Sequence, residues 1–199
     1  MRVRLRVALM PLVLCLTAAR DVQAVAVLSP RRLECQSAAR QVRTGSPKSG
    51  VAEAYNALLF CAAATAAPAL AAAWTRVAVD TSDFRWREAS SVRFADRRIL
   101  SAALAVGISS SRSVQERVSA LSTMMMLLNN GGRSLSMRFW DQPQRGQPDM
   151  VADIDVMPGE QPITSADRTI VLQTLRTMAS SDSDPQARLV AQRLAELLQ

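Results

Sequence analysis

Residues 181–198 read Ser-Asp-Ser-Asp-Pro-Gln-Ala-Arg-Leu-Val-Ala-Gln-Arg-Leu-Ala-Glu-Leu-Leu, and they have the pattern of a capped amphipathic helix. Asp184 is an N-cap residue, and Pro185 suits the first helical position, where a backbone N–H has no intrahelical partner. The apolar residues that follow recur at helical spacing and form one stripe, comprising Val190, Ala191, Leu194, Leu197 and Leu198. The stretch predicts an amphipathic helix that packs by this stripe against the rest of the protein.

Helix signals also dominate the chain upstream of this stretch. Asp96 precedes an apolar run at helical spacing, and Ser113 with Glu116 forms a capping box before another run. Further helices are predicted over 30–43, from Val51 to about 65, from Pro68 onward and from 164 onward. Residues 84–94 are compatible with an irregular connection or with a short helix. The fold class is therefore predicted to be mainly α.

Residues 133–163 differ in character from the helical stretches around them. They contain four of the nine prolines, and apolar and polar residues alternate over 134–139 and 150–156. This pattern predicts two strands joined by a polar loop, which is a β-hairpin-like insertion in a helical domain. Because an isolated two-stranded ribbon is marginal in water, its apolar face is expected to lie on a neighbouring helix.

The polar face of this predicted ribbon carries the candidate partner-binding residues Arg138, Asp153 and Asp155. A strand would place both carboxylates on one face, where they could bind a divalent ion or act in acid–base chemistry. A polar strand face exposed to water explains the same pattern. An envelope metal-dependent hydrolase that uses Asp153 and Asp155 is therefore the alternative function, and no activity-defining motif supports it.

The amino-terminal residues 1–24 have the three-part layout of a secretory signal peptide. A basic start precedes an apolar run over 7–19, which is too short to span a hydrocarbon core of about 30 Å, and Val22 and Ala24 suit a signal peptidase site. We expect cleavage after Ala24 and one domain over 25–199, in the periplasm or outside the cell. The alternatives are a lipoprotein anchor on Cys15, although the preceding leucine stands where a small residue is normally required, and an uncleaved anchor helix.

The net positive charge of the chain is smaller once this segment is removed. Residues 1–24 hold four of the 24 basic and one of the 17 acidic residues, which leaves 20 against 16 and a net charge of about +4 instead of +7. The remaining basic residues are scattered, so we expect no nucleic acid partner and no membrane-integral segment after cleavage. Binding of acidic envelope polymers through arginines is a further alternative.

Cys35 and Cys61 are the two cysteines that remain after cleavage, in a compartment that permits oxidation. If the first two helices pack antiparallel about a turn near Pro47, the two sulfurs lie at similar heights. We expect a structural disulfide, which would stabilise the fold by about 3.5 kcal/mol in the chain-entropy model. Two buried free thiols or a redox-active pair are the alternatives.

The chain contains no histidine, which excludes Ser-His-Asp and Cys-His catalysis and histidine-containing zinc sites. A glycine-rich phosphate loop is also absent from the sequence. The methionine run over 124–126 is more typical of core filling than of a metal or haem site. We therefore expect no catalytic residues, no cofactor, no metal and no enzyme activity.

The predicted helix pairs recur along the chain. Their second helices begin at Pro68, Ser113 and Pro185, at intervals of 45 and 72 residues, and removing the 31-residue insertion reduces the second interval to 41. Both intervals then fall in the window of about 40–47 residues that is typical of two-helix repeats.

At this point the closing stretch resembles the Asp-Pro-x-x-Arg-x-x-Ala-x-x-x-Leu pattern of the HEAT-like repeat family. The matching or nearly matching residues are Asp184, Pro185, Arg188, Ala191 and Ala195, whereas Leu194 lies one place early. The earlier pairs lack the Asp-Pro-x-x-Arg start, so the resemblance is firm in the last pair alone.

The resemblance implies a short α-solenoid of antiparallel helix pairs, with the disulfide-linked hairpin as its amino-terminal cap. An irregular helical bundle is the alternative fold. HEAT-like arrays are mostly scaffolds that hold proteins on a concave face, so the resemblance implies an exported protein-interaction or scaffold protein without catalytic activity. Its partner would be a protein bound on the helical face or against the ribbon.

Overall fold

The computed structural model describes residues 32–46, 50–129, 134–139 and 150–199, and of Thr81, 134–139 and 150–155 it describes the backbone. The predicted signal peptide, Cys15 and the turn at Pro47 lie outside the described residues. The described chain is mainly α-helical, as predicted. Its elements in order are α1 (32–44), α2 (Val51–Leu58), α3 (Ala63–Thr75), α4 (Thr81–Ser91), β1 (Phe94–Ala95), α5 (Arg97–Gly107), α6 (Val114–Asn129), β2 (Ser134–Phe139), β3 (Met150–Asp155), β4 (Met157–Pro158), α7 (Ser165–Ser181) and α8 (Pro185–Leu197).

Side-chain caps begin the helices whose starts the sequence predicts. The Asp96 carboxylate accepts a hydrogen bond from the Arg98 backbone N–H at the start of α5, and the Ser113 hydroxyl accepts one from the Glu116 N–H at the start of α6. Asp184 accepts from the Ala187 N–H at the start of α8. These caps satisfy backbone donors that have no partner in the first turn of a helix.

The break between α2 and α3 differs from the prediction. The helix expected to run from Val51 to about 65 ends at Leu58, and α3 begins at Ala63 without a side-chain cap. Pro68, predicted as a helix start, lies inside α3. Proline marks a helix start only when its missing N–H falls in the first turn, and here its neighbours are alanines, whose strong helix propensity keeps the flanking turns helical.

The segment after α3 is helical, which periodicity left open. Asp80 caps α4 by accepting hydrogen bonds from the N–H groups of Ser82 and Asp83. This helix is the second member of its hairpin, so the second helices begin at Thr81, Val114 and Pro185. The first interval is therefore 33 residues rather than 45, which lies below the window of about 40–47 residues that the prediction of two-helix repeats relied on, and the second, without the 31-residue insertion, is 40.

The helices pack as successive hairpins around one hydrophobic core. Helix α3 packs with α4, α5 with α6, and α7 with α8, while α3 also contacts α5 and α6 contacts both α4 and α8. Trp74, Phe94, Leu121 and Met124 are among the fully buried residues of this core, which confirms that the methionine run fills it. Within the described ranges, no helix combines the length and the apolar content that crossing a membrane requires.

Helix α8 buries most of the predicted stripe, and one member of the stripe is exposed. Ala191 and Leu198 are buried, and Val190 and Leu194 are partly buried against the core, whereas Leu197 is 70% exposed. The predicted stripe leaves out Ala187 and Ala195, which are also buried. Small side chains let α8 approach α6 and α7 closely, so the alanines form the centre of its inner face.

Cys35 in α1 and Cys61 before α3 form the predicted disulfide, with their Cα atoms 5.8 Å apart and a sequence separation of 26. Helix α1 also buries Ala38, Ala39 and Val42 in the core. It ends at Gly45, whose φ of +68° is a left-handed conformation that glycine adopts without strain. The disulfide thus joins α1 covalently to the short segment between α2 and α3.

The insertion contains the predicted hairpin. Strands β2 and β3 pair antiparallel, from Ser134 opposite Asp155 to Phe139 opposite Met150. The structure describes the backbone of these strands alone, so the expected packing of their apolar face against a neighbouring helix stays a prediction. The connecting residues 140–149 lie outside the described part of the chain.

Candidate functional site

The candidate partner-binding residues lie on the ribbon formed by β2 and β3. In the strand register, Arg138 is opposite Val151, Asp153 is opposite Ser136 and Asp155 is opposite Ser134. Directly opposed residues of an antiparallel pair share a face, so these three positions belong to one set. The placement of their side chains lies outside what the structure describes, and their proposed role stays a prediction.

The other set of register positions is entirely apolar. Leu135 is opposite Ile154, Met137 is opposite Ala152, and Phe139 is opposite Met150. Sequence alternation predicted the two strands, and the register now shows that their apolar positions coincide across the ladder. The ribbon therefore carries one continuous apolar set and one polar set.

The end of the insertion is attached to the helices by a short parallel strand pair. Met157 donates its N–H to the Arg93 carbonyl over 2.8 Å, and the Gly159 N–H reaches the Ala95 carbonyl over 3.1 Å. The Arg97 N–H then donates to the Gln161 carbonyl over 2.7 Å. These backbone bonds hold the root of the ribbon at the start of α5.

Asp96 is the buried side chain at the centre of this root. Its carboxylate accepts hydrogen bonds from the Arg98 guanidinium at 2.9 and 2.8 Å and from the Gln161 backbone N–H at 3.4 Å. Arg98 also forms an ion pair with Glu160 at 3.3 Å. Burial alone would raise the pKa of Asp96, but the bonds from Arg98 and Gln161 outweigh it and hold this pKa below its ordinary value.

Gly159 allows the insertion to approach Asp96 closely. A Cβ atom at this position would lie 2.7 Å from the Asp96 Cα and 2.5 Å from its Cβ. Such distances are far inside van der Waals contact, so no larger residue fits without moving the strand or α5. One backbone approach therefore fixes where the ribbon leaves the helices.

A second buried polar cluster connects α2, α3 and α4. The Asp83 carboxylate accepts hydrogen bonds from the Tyr55 hydroxyl at 3.1 Å, from Arg87 at 3.1 Å, from the Val79 N–H at 2.9 Å and from Arg76. Asp83 is 2% exposed and Arg87 is fully buried. Burial opposes the charge of Asp83, yet the hydrogen bond from Arg76 and those that accompany it keep its pKa below the ordinary value.

Arg87 and Tyr55 are the most enclosed members of this cluster. The Arg87 guanidinium carbon lies 5.2 Å from the centre of the Trp74 ring, a cation–π distance, and the Arg87 Nε has no hydrogen-bond partner among the described residues. Burial raises the pKa of Tyr55 to about 12, although the nearby Arg87 charge acts in the opposite direction. The phenol therefore stays protonated and donates to Asp83 throughout the neutral range.

Arg76 joins this cluster to α1. Its Nε donates to the Val42 carbonyl near the end of α1 over 3.1 Å, and another nitrogen donates to the Tyr55 hydroxyl over 3.2 Å. The carbonyl of Arg76 accepts a hydrogen bond from Arg112, which precedes α6. These hydrogen bonds join α1, α2, α3 and α4 through buried or half-buried side chains, which is the arrangement of a structural ion-pair network.

A third ion pair joins α6 to the turn between α7 and α8. The Arg117 guanidinium pairs with the Asp182 carboxylate and donates from its Nε to the Gly107 carbonyl over 2.9 Å. The hydrogen bond from Arg117 is the main cause that lowers the pKa of Asp182. This pair connects two hairpins that are separated in sequence by the whole insertion.

Sequence reasoning missed all three clusters. Asp83 and Arg87 have the spacing of a solvated surface pair on a helix, and their partners Tyr55 and Arg76 lie in other elements. The signal that could have drawn attention to them is the single tyrosine of the chain, placed in an alanine-rich stretch. Within the described ranges, no group of three or more cysteine, aspartate or glutamate side chains could hold a metal ion.

Comparison of the chain with protein-family models, with curated proteins and with solved structures gives no match.

Proposed function

We propose that this chain is an exported protein-interaction scaffold, in which stacked helical hairpins present the ribbon of β2 and β3 to a protein partner. The observation that supports this proposal is the structure of the ribbon. Its paired apolar positions form one set, and its root is held by backbone hydrogen bonds.

The physical reason is that such a ribbon is incomplete by itself. A two-stranded ribbon needs a further apolar surface for stability, and each large apolar side chain that becomes buried contributes about 1.5–3 kcal/mol. Because the root at Gly159 is fixed, a partner would not need to order the direction in which the ribbon leaves the helices. An apolar surface on a protein partner fits these requirements.

The helical part of the proposal is a short, HEAT-like solenoid. Its support is the order of packing, in which α3 contacts α5, and α6 contacts both α4 and α8. The packing departs from a regular stack of hairpins at an open groove of about 440 Å³, which lies beside Ile108 and Thr174 between the end of α5 and helix α7. In such a solenoid, the ribbon would lie between the second hairpin, α5 and α6, and the third hairpin, α7 and α8.

Export is the second part of the proposal. The disulfide between Cys35 and Cys61 fits an oxidising compartment, and the layout of residues 1–24 fits a cleaved signal. Intact-mass analysis of the protein recovered from the envelope or from the medium tests this part. A chain that begins at Val25 is expected, whereas a cytoplasmic chain that retains residues 1–24 would refute export.

Site-specific photo-crosslinking tests the role of the ribbon. A crosslinker at position 135 or 137, in the apolar set, should capture one defined protein, and the same crosslinker at position 134 or 136 should capture it much less. Leu135→Ser combined with Met137→Ser should abolish capture and leave the helical circular dichroism unchanged. Equal capture from both sets of positions, or capture that survives the double substitution, would refute the proposal.

The same protein samples discriminate against a metal-dependent hydrolase. Under the scaffold proposal, calcium or manganese leaves the melting temperature of the wild type unchanged. A rise in the melting temperature that is lost in Asp153→Ala/Asp155→Ala would instead support a metal site on the ribbon and count against a passive scaffold.

A further inference from the structure

The outer face of α8 combines two exposed leucines with opposite charges. Leu189 is 55% exposed and Leu197 is 70% exposed, and both lie four residues from Arg193. Four-residue spacing places all three residues on neighbouring turns of one helix side. On the inner side of the same helix, the alanines and Leu198 are buried and Leu194 packs against the core, so Leu189 and Leu197 are the leucines of α8 that face solvent.

We infer that this face of α8 binds a second copy of the chain, with the two α8 helices antiparallel across a two-fold axis close to Arg193. The spacing of the leucines is symmetric about that residue, one leucine four positions before it and one four positions after it. In an antiparallel pair, Leu189 therefore meets Leu197 of the second copy, and the reverse contact forms on the other side of the axis. A two-fold interface requires this self-complementarity.

The charges on the same face favour that arrangement. Glu196 lies three residues after Arg193, which places it about one turn from Arg193 of the second copy across the axis. Neither residue takes part in an ion pair within the described ranges. Two reciprocal Arg193 to Glu196 pairs would offset the approach of the two Arg193 side chains at the axis.

The position of α8 in the packing order leaves this face accessible. Among the described elements, α8 has its extended contacts with α6 and α7, and these contacts leave Leu189 and Leu197 exposed. A second copy would cover these leucines, and it makes a closed dimer rather than an open chain of molecules. This inference does not depend on the ribbon or on its partner.

Sedimentation equilibrium of the disulfide-intact protein tests the inference. The interface is centred on one helix from each copy, which is typical of the small, weak class of interfaces, so the concentration series should run from about 1 μM to about 1 mM. We expect a reversible shift from monomer to dimer. Leu189→Glu combined with Leu197→Glu should leave a monomer at every concentration.

A matched control uses leucine and valine positions away from α8. Leu33 and Val77 are 66% and 70% exposed, close to the exposure of the α8 leucines. Leu33→Glu combined with Val77→Glu makes the same change in charge and polarity and should leave the dimer intact. Circular dichroism of both variants confirms that each is folded.

Charge reversal tests the orientation of the helices. Arg193→Glu alone and Glu196→Arg alone should each weaken the dimer at least tenfold, and the variant with both reversals should restore it. A wild type that stays monomeric to about 1 mM, a range that includes weak interfaces, would overturn the inference. So would an open-ended assembly, a dimer that survives loss of both α8 leucines, or a double reversal without rescue. Binding of the leucine face to lipid vesicles in place of a dimer would overturn it as well.

Discussion

Replacing Asp83 by alanine should be among the most destabilising single substitutions in the described helices. The Asp83 carboxylate is the ion-pair partner of Arg87, which is fully buried, and it also accepts hydrogen bonds from Tyr55 and from the Val79 N–H. Alanine at position 83 leaves the Arg87 charge in the core without a carboxylate, and it removes the acceptor of the hydrogen bonds from Tyr55, Val79 and Arg76.

The expected magnitude follows from the cost of an unpaired buried charge. Removing one partner of a buried ion pair typically lowers the free energy of unfolding by about 3–5 kcal/mol. Domains of this size have about 5–15 kcal/mol in total, so Asp83→Ala should remove about a fifth or more of it. At about 2–4 °C per kcal/mol, the melting temperature should fall by about 6–20 °C.

Urea unfolding at neutral pH, with the disulfide intact, measures this change. The matched control is Asp80→Ala, because Asp80 lies on the exposed start of the same helix and its loss removes a cap worth about 1 kcal/mol. Adding Arg87→Met to Asp83→Ala should recover part of the lost stability, since the unpaired charge is then removed. If Asp83→Ala costs no more than Asp80→Ala, the Asp83 cluster does not stabilise the core and the reasoning is wrong.

Three further predictions concern other features. Tyr55 is the single tyrosine of the chain, so tyrosinate absorbance should titrate near pH 12 in the native protein and near pH 10 after denaturation. Because the unfolded chain ionises first, the free energy of unfolding should fall by about 2–3 kcal/mol as the pH rises through this window. A native midpoint near pH 10 would contradict the burial of Tyr55. Gly159→Ala should lower the free energy of unfolding by about 1–3 kcal/mol in chemical denaturation, through the clash with Asp96, and an unchanged value would show that the root can move. Cys35→Ala combined with Cys61→Ala should cost about 3.5 kcal/mol by the loop-closure model, and unchanged thermal unfolding would count against a structural bridge.

Local signals in the sequence are sufficient to predict many element boundaries. Asp96, Asp184 and the Ser113 capping box mark true helix starts, because a cap is a contact between near neighbours in the chain. The strand pair in the insertion is predictable for the same reason, since alternation is a local property. Pro68 shows the limit of this approach, because whether a proline starts a helix or lies within one depends on turns that its own position does not specify.

Features that depend on distant residues could not be predicted in this way. The edges of the buried face of α8 depend on how closely α6 and α7 approach, so the predicted stripe includes the exposed Leu197 and leaves out the buried Ala187 and Ala195. Asp83 and Tyr55 are 28 residues apart, and only the tertiary fold brings them together. The disulfide is the exception, because assuming one antiparallel hairpin was enough to place both cysteines together.

Helix α1 is secured at two separate points, by the covalent link at Cys35 near its beginning and by the Arg76 guanidinium at the Val42 carbonyl near its end. A helix attached at both ends cannot swing away from the core, whereas a helix that loses one attachment can swing about the other. Reduction of the disulfide should therefore open the beginning of α1 to proteolysis, and an Arg76→Met substitution should open its end. The two cleavage patterns would report separately on the loss of the disulfide and on the loss of the Arg76 contact.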